Sequence, residues 1–291
     1  MDKNLIQRSI SGLVYVLVIA LCTTPLGENL FSSILPVVKQ YHLFYGLITF
    51  FLVVGAWECI NVMKFDNGIY KWAVYPVIAV VYWRFTQRFF HNGFYSDFNL
   101  SELLALSLIL IAVVTLFKHS RELYQENGKL IFTVIYVALP FGFALGLPRF
   151  SKIDTNSSFS LEVFMLFVLI WSSDTFAYLT GKFFGKHKMA PRISPKKTWE
   201  GFAGGVVLTL ILGFFVEKYM PELRGNWMIV GLLVSIFAPL GDLVESQLKR
   251  NFAVKDSGSI LPGHGGILDR LDSFIICAPV VYLYFILEKL I

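Results

Sequence analysis

The chain has 291 residues, 56% of them hydrophobic and 15% charged, with a formal net charge of +5. A soluble domain carries about 25% charged residues, so this composition, gathered into long apolar runs, excludes an ordinary soluble globule and points to a membrane protein. The modest positive charge then belongs to loops that orient the chain in a bilayer, not to a nucleic-acid surface. Cys22, Cys59 and Cys277 lie far apart in apolar runs without a CxxC pair, which argues against a zinc site or a disulfide framework.

Crossing about 30 Å of hydrocarbon takes about 20 apolar residues. Nine stretches are predicted to do so: 9–25, 43–63, 71–84, 101–117, 130–147, 159–181, 201–216, 227–248 and 273–289. The first follows a short polar start but lacks a small-x-small cleavage pattern, so it reads as a retained helix and not a signal peptide. The third is short and runs on through Arg84, Phe85, Arg88, Phe89 and Phe90, an aromatic and basic belt suited to a membrane interface. If the spans alternate, one side holds the N-terminus and the loops at 64–71, 118–129, 182–200 and 249–272, with 17 of the 25 Lys and Arg residues. The other side holds 8, and the bias places the first set, with the N-terminus, in the cytoplasm. The fold class expected is all-α, a polytopic transmembrane helix bundle of about nine spans. Asn99 and Asn156 begin N-x-S/T sequons in the outside loops, a pattern that arises easily by chance. No internal repeat is visible.

The chemistry concentrates in one region. Residues 1–150 read as transmembrane spans with few charges, Glu58 being the main exception. Residues 151–291 read as a catalytic transmembrane region with cytoplasmic loops at 182–200 and 249–272. There Asp174, Glu200, Asp242 and Glu245 lie in or at the ends of apolar runs, toward the cytoplasmic side. An acid at the centre of a spanning helix costs roughly 2.5–3.5 kcal/mol to insert, less near the interface. Several together call for a metal, a buried cation or a water-filled cavity. Mg²⁺ takes oxygen ligands, while Lys and Arg neutralise phosphate.

The densest segment is Ser246–Ser273. Lys249, Arg250, Lys255 and Arg270 alternate there with Asp256, Asp269 and Asp272, and Gly258, Gly263, Gly265 and Gly266 surround His264. Glycines let backbone N–H groups approach an anion closely. Asp269 and Asp272 are three apart, so they share a face if helical. Bland readings exist for each part. Lys249, Arg250, Lys196 and Lys197 are also what a positive-inside anchor looks like, His264 alone is an ordinary loop histidine, and Asp269-Arg270 is a local ion pair. Their concentration within one segment is what these readings leave unexplained.

The segment resembles the signature of the phosphatidate cytidylyltransferases, the CDP-diacylglycerol synthases. Ser246, Lys249, Arg250, Lys255, Asp256, Gly258, Leu261, Pro262, His264, Gly265, Gly266, Asp269, Arg270 and Asp272 meet it without departure. Ser194-Pro-Lys-Lys-Thr-Trp-Glu-Gly201 and Gly241-Asp242 resemble further family features. The likeness covers roughly residues 170–273; the first half matches only in being apolar spans. The resemblance implies transfer of the cytidylyl group of CTP to phosphatidate, with Mg²⁺, a monovalent ion such as K⁺, and a homodimer. It implies metal ligation by Asp242 and Asp269, with Asp272 a further candidate, and phosphate contacts from Ser246, Lys249 and Arg250.

Such a transfer needs positioning and charge neutralisation more than a strong base. Lys255 joins the phosphate-gripping candidates, with Lys196 and Lys197 behind it. His264 is a candidate hydrogen-bond donor to pyrophosphate, and Asp256 and Arg270 complete the catalytic candidates. Asp174 and Glu200 are expected to line the polar cavity. The implied setting is a bacterial inner membrane with the site facing the cytoplasm. Two other readings stay open: a CTP-dependent polyprenol or dolichol kinase, and a transporter. Gly181–Lys186 lacks the spacing of a phosphate-binding loop, and no G-x-S-x-G accompanies His264-Gly265-Gly266.

Overall fold

The computed structural model describes residues 3–32, 35–90, 100–150, 161–260 and 265–290. Leu261, Pro262, Gly263, His264, Asn99 and Asn156 lie outside the described residues. Each of the nine predicted stretches contains helix among its described residues, and the sequence explains most of the helix ends. Helix α1 (Lys3–Thr23) stops before Pro25, whose ring cannot continue the hydrogen-bond ladder, and α2 (Leu26–Ser32) leaves at 82° to it. Helix α3 (Gln40–Met63) ends where Lys64 turns left-handed at φ 50°. Then come α4 (Gly68–Phe90) and α5 (Leu100–Phe117).

The fifth predicted span divides into α6 (Glu126–Thr133), a π turn (Val134–Ala138) and α7 (Leu139–Gly146). Pro140 cannot donate to the carbonyl of Tyr136, and the wider π turn lies just before it. The later spans are α8 (Leu161–Phe184), α9 (Trp199–Tyr219), α10 (Trp227–Asn251) and α11 (Leu268–Leu290). Six of the described helices or continuous helical runs are long and apolar enough to cross a membrane, seven if α1 and α2 make one broken span. Helix α4 is not among them, and the described part of the fifth helix, Ser101–Phe117, is short of the length.

The predicted 182–200 loop holds more order than expected. Strands β1 (Lys188–Ala190) and β2 (Ser194–Thr198) pair antiparallel, with Lys188 opposite Thr198 and Ala190 opposite Ser194. The bundle is therefore almost all-α, with one two-stranded hairpin among the described residues.

Two units make up the chain, and each draws on separate stretches of it. One contains Met1–Gly146 with Gln247–Leu271; the other contains Leu147–Ser246 with Asp272–Ile291. In the first, Phe44, Ile48, Phe51, Phe141 and Phe143 are buried. In the second, Phe167 stacks on Phe274 with ring centroids 4.4 Å apart, and Trp227 is buried. Outside these cores large apolar side chains stand exposed: Leu13 and Leu17 on α1, Trp72 and Trp83 on α4, Leu110 and Ile111 on α5, Phe214 and Phe215 on α9. So much uncovered apolar surface is untenable in water and natural in lipid. The protein is an integral membrane protein.

Candidate active site

In the first unit the site residues gather where α10 ends and α11 begins. Lys249, in the last turn of α10, donates to Asp269 Oδ1 at 2.6 Å. Both side chains are largely covered, 12% and 10% exposed, so little water screens the pair. Asp269 Oδ2 accepts from the backbone N–H of Gly266 at 2.8 Å and of Ser257 at 3.0 Å. The carboxylate thus ties the loop between the two helices to the start of α11. Gly265 sits beside it at φ +84°, a left-handed conformation that glycine adopts without strain.

A residue from the first half of the chain completes this arrangement. Glu58 of α3 is fully buried. Its Oε1 accepts from Ile267 N at 3.0 Å, and its Oε2 accepts from Leu268 N at 2.7 Å and Ser257 Oγ at 3.3 Å. The Asp269 N–H donates to Ser257 Oγ at 3.3 Å. A helix start leaves four N–H groups without intrahelical partners. Here the amides of Leu268 and Asp269, with those of Gly266 and Ile267 just before the helix, reach side-chain oxygens, two carboxylates and a hydroxyl. Two signature glycines make room for Glu58. A Cβ at Gly258 would lie 2.4 Å from Glu58 Oε1, and one at Gly266 2.5 Å from the same atom.

In the second unit Lys197, on β2, pairs with Asp242 Oδ2 at 2.7 Å and donates to the Pro239 carbonyl at 2.9 Å. Ser246, one turn after Asp242 on α10, donates to Asp242 Oδ1 at 3.1 Å. Glu200, at the start of α9, accepts from the amides of Lys186 and His187 at 3.0 and 3.1 Å and meets His187 Nδ1 at 2.5 Å. Its visible work is to brace the approach to the hairpin, whereas the sequence suggested a cavity lining. Thr198 caps α9 by accepting from Gly201 N at 3.2 Å.

The remaining candidates are less enclosed. Lys196, Asp174, Arg250, Lys255, Asp256 and Arg270 are exposed, and Asp272 is half-buried, its Oδ1 accepting from Ser273 N at 2.6 Å. In the sequence Glu58 stands out only as an exception in an apolar half, and Ser257 carries no signal of its own. The signal for Glu58 was the one used for Asp174: an acid deep in an apolar run has an insertion cost that something must offset.

Mg²⁺ binds hard oxygen donors, often through one or two carboxylates with substrate phosphates and water filling the shell. Asp242 and Asp269 offer such oxygens, each held by a lysine that a phosphate also attracts. Among the described residues no group of three or more His, Cys, Asp or Glu is assembled. Each aspartate, taken within its own unit, is an oxygen donor of the kind that suits a Mg²⁺ whose shell phosphates and water complete.

The fold defines the class: an integral membrane protein with lysine–carboxylate pairs at its helix ends. More narrowly, the chain belongs to the cytidylyltransferase family, whose model matches residues 7–287. It is similar to the phosphatidate cytidylyltransferase of Bacillus subtilis (strain 168), 41% identical over 189 residues, 64% of this chain and 67% of that protein. It is also similar to phosphatidate cytidylyltransferases of Staphylococcus saprophyticus, 39% identical over 188 residues (64% and 69%), and Staphylococcus aureus (strain COL), 41% identical over 185 residues (63% and 68%).

Proposed function

We infer that this protein transfers the cytidylyl group of CTP to phosphatidate, giving CDP-diacylglycerol and pyrophosphate in phospholipid biosynthesis. The observation that carries the inference is the covered Lys249–Asp269 pair, fixed within the Ser246–Asp272 signature of a cytidylyltransferase-family chain. A phosphate monoester has a second pKa near 6, so the lipid phosphate is already largely anionic at neutral pH. A phosphatidate oxygen attacks the α-phosphorus of CTP, and the bond from that phosphorus to the bridging oxygen of the β-phosphate breaks. The obstacle is repulsion between two polyanions and the charge that builds toward pyrophosphate.

Lysines already paired with carboxylates suit that task. Lys249 and Lys197 are held in place before substrate arrives, so little ordering is left to be done when phosphate draws them. Ser246, Arg250 and Lys255 are the further phosphate contacts in this proposal. Asp269 in the first unit, and Asp242 with Asp272 in the second, are each assigned as oxygen donors for Mg²⁺, and K⁺ as a second ion follows from the resemblance. When bound, Mg²⁺ supplies charge neutralisation at the phosphates. The 17-to-8 split of Lys and Arg supports a site on the cytoplasmic side, where CTP comes from the cytosol and phosphatidate from the bilayer, and the bacterial relatives support a bacterial inner membrane. The resemblance supports a homodimer.

The test is purified protein with CTP, phosphatidate and Mg²⁺. CDP-diacylglycerol and pyrophosphate are the expected products, and Asp269→Asn lowers kcat by about 10²–10³-fold, the scale of losing one preorganised charge contact. Formation of CDP in place of pyrophosphate identifies a kinase. Full activity in Asp269→Asn refutes the assignment of Asp269.

A further inference from the structure

Glu58 lies in the half of the chain that the signature does not cover, yet the structure centres the signature on it. We propose that Glu58 is a positioning residue of the reaction: a buried carboxylate that clamps Ser257 together with Ile267 and Leu268 and so sets where Asp269 and Lys249 stand.

Its chemistry is unusual for a spanning helix. Among the described residues its partners are the Ile267 and Leu268 amides and the Ser257 hydroxyl, none of them a cation. An acid in such a place is held by donors only if they are themselves fixed, and these are. The two amides open a helix, whose N-terminus favours negative charge. Ser257 is buried and accepts from the Asp269 amide at 3.3 Å while donating to Glu58. The chain of contact runs from Glu58 through Ser257 and α11's first amides to the Asp269 carboxylate, then to Lys249 at 2.6 Å.

The neighbouring sequence is shaped around the same carboxylate. Gly258 and Gly266 pack so closely that a Cβ on either would strike Glu58, at 2.4 and 2.5 Å from Oε1. Gly55, one turn earlier on α3, leaves only ordinary contact distance to Leu268, 3.7 Å from a built Cβ. A neutral amide at position 58 would keep the volume but turn an NH₂ group toward N–H donors. The loop would then shift or lose a partner.

Glu58 acts through other groups, so its signature differs from that of a residue touching substrate. The proposal rests on the cytidylyltransferase reading, in which Lys249 grips phosphate, most of which the nucleotide brings. In Glu58→Gln the KM for CTP rises at least fivefold, while the KM for phosphatidate in detergent micelles stays within twofold. A mere loss of folded enzyme lowers kcat and moves neither KM. Exchange of the Ile267 and Leu268 amides speeds by at least tenfold, and exchange in α5 is unchanged. Ser257→Ala is the second probe: it leaves the carboxylate but removes its hydroxyl donor and the acceptor of the Asp269 amide, and it shifts the same two quantities in the same direction. If Glu58→Gln does not fold, Ser257→Ala decides. An unchanged CTP KM and unchanged exchange in every variant that folds overturn the proposal. A wild-type enzyme that makes no CDP-diacylglycerol refutes the functional reading instead, and the exchange rates alone then judge the clamp.

Discussion

Gly265 is constrained twice over, by its backbone and by its neighbour. Its φ of +84° is one that a Cβ disfavours, and a built Cβ falls 2.6 Å from Asp269 Oδ2. Left-handed backbone costs an ordinary residue about 1–2 kcal/mol, and the collision adds to that by pushing the carboxylate off the Ser257 and Gly266 amides. Gly265→Ala is therefore expected to lower the thermal midpoint in detergent by roughly 2–8 °C, taking about 2–4 °C per kcal/mol. Ser259→Ala, six residues away on an exposed part of the same loop, is expected to stay within about 0.5 kcal/mol of wild type. Differential scanning of the three proteins checks the ranking; equal midpoints for Gly265→Ala and wild type contradict it. The sequence made this glycine look like part of an anion cradle. Its conformation and its distance to Asp269 are tertiary facts that residue type alone does not disclose.

Among the elements, α8 and α9 show how small residues do structural work without any apolar driving force. Lipid tails are as apolar as leucine, so helices in a bilayer gain by close backbone approach. Gly201 and Gly205 on α9, four apart, face Ala177 and Gly181 on α8. A Cβ at Gly201 would lie 2.7 Å from the Ala177 carbonyl oxygen and 3.0 Å from Gly181 Cα, both backbone atoms that cannot step aside. At Gly205 the nearest atom is the Ala177 methyl at 3.1 Å, a longer contact. Gly201→Ala should thus cost about 1–3 kcal/mol as overpacking, and Gly205→Ala less, measured as thermal unfolding in detergent. The reverse order would show that α8 and α9 do not pack as described. Helices such as these were legible because a membrane demands a run of apolar residues of fixed length. The Lys188–Thr198 hairpin was not, since Lys188-Met-Ala and Ser194-Pro-Lys-Lys-Thr198 are short, polar and interrupted by Pro195, which reads as loop. Nor was the π turn, whose cause is one missing N–H at Pro140 in an otherwise regular apolar stretch.

For the whole molecule, chain order and spatial grouping part company. Residues 247–271 belong to the same unit as 1–146, so the signature's loop is built against the half that looked inert, and Glu58 is the link. No one-dimensional pattern states that pairing, because α3 and the loop are some 200 residues apart in sequence. The direction of insertion, in contrast, is a one-dimensional property, set by which loops carry Lys and Arg. The loop at 182–200 carries six of them, and that at 217–226 carries two. Holding six cations outside against the inward bias on basic loops is the costlier arrangement. A single cysteine at Ser194, in a background where Cys22, Cys59 and Cys277 are replaced by alanine, should resist a membrane-impermeant thiol reagent in intact cells and react in inverted vesicles. A cysteine at Glu222 should do the opposite. Labelling at Ser194 from outside intact cells would invert the topology and leave CTP without access to the hairpin that holds Lys197.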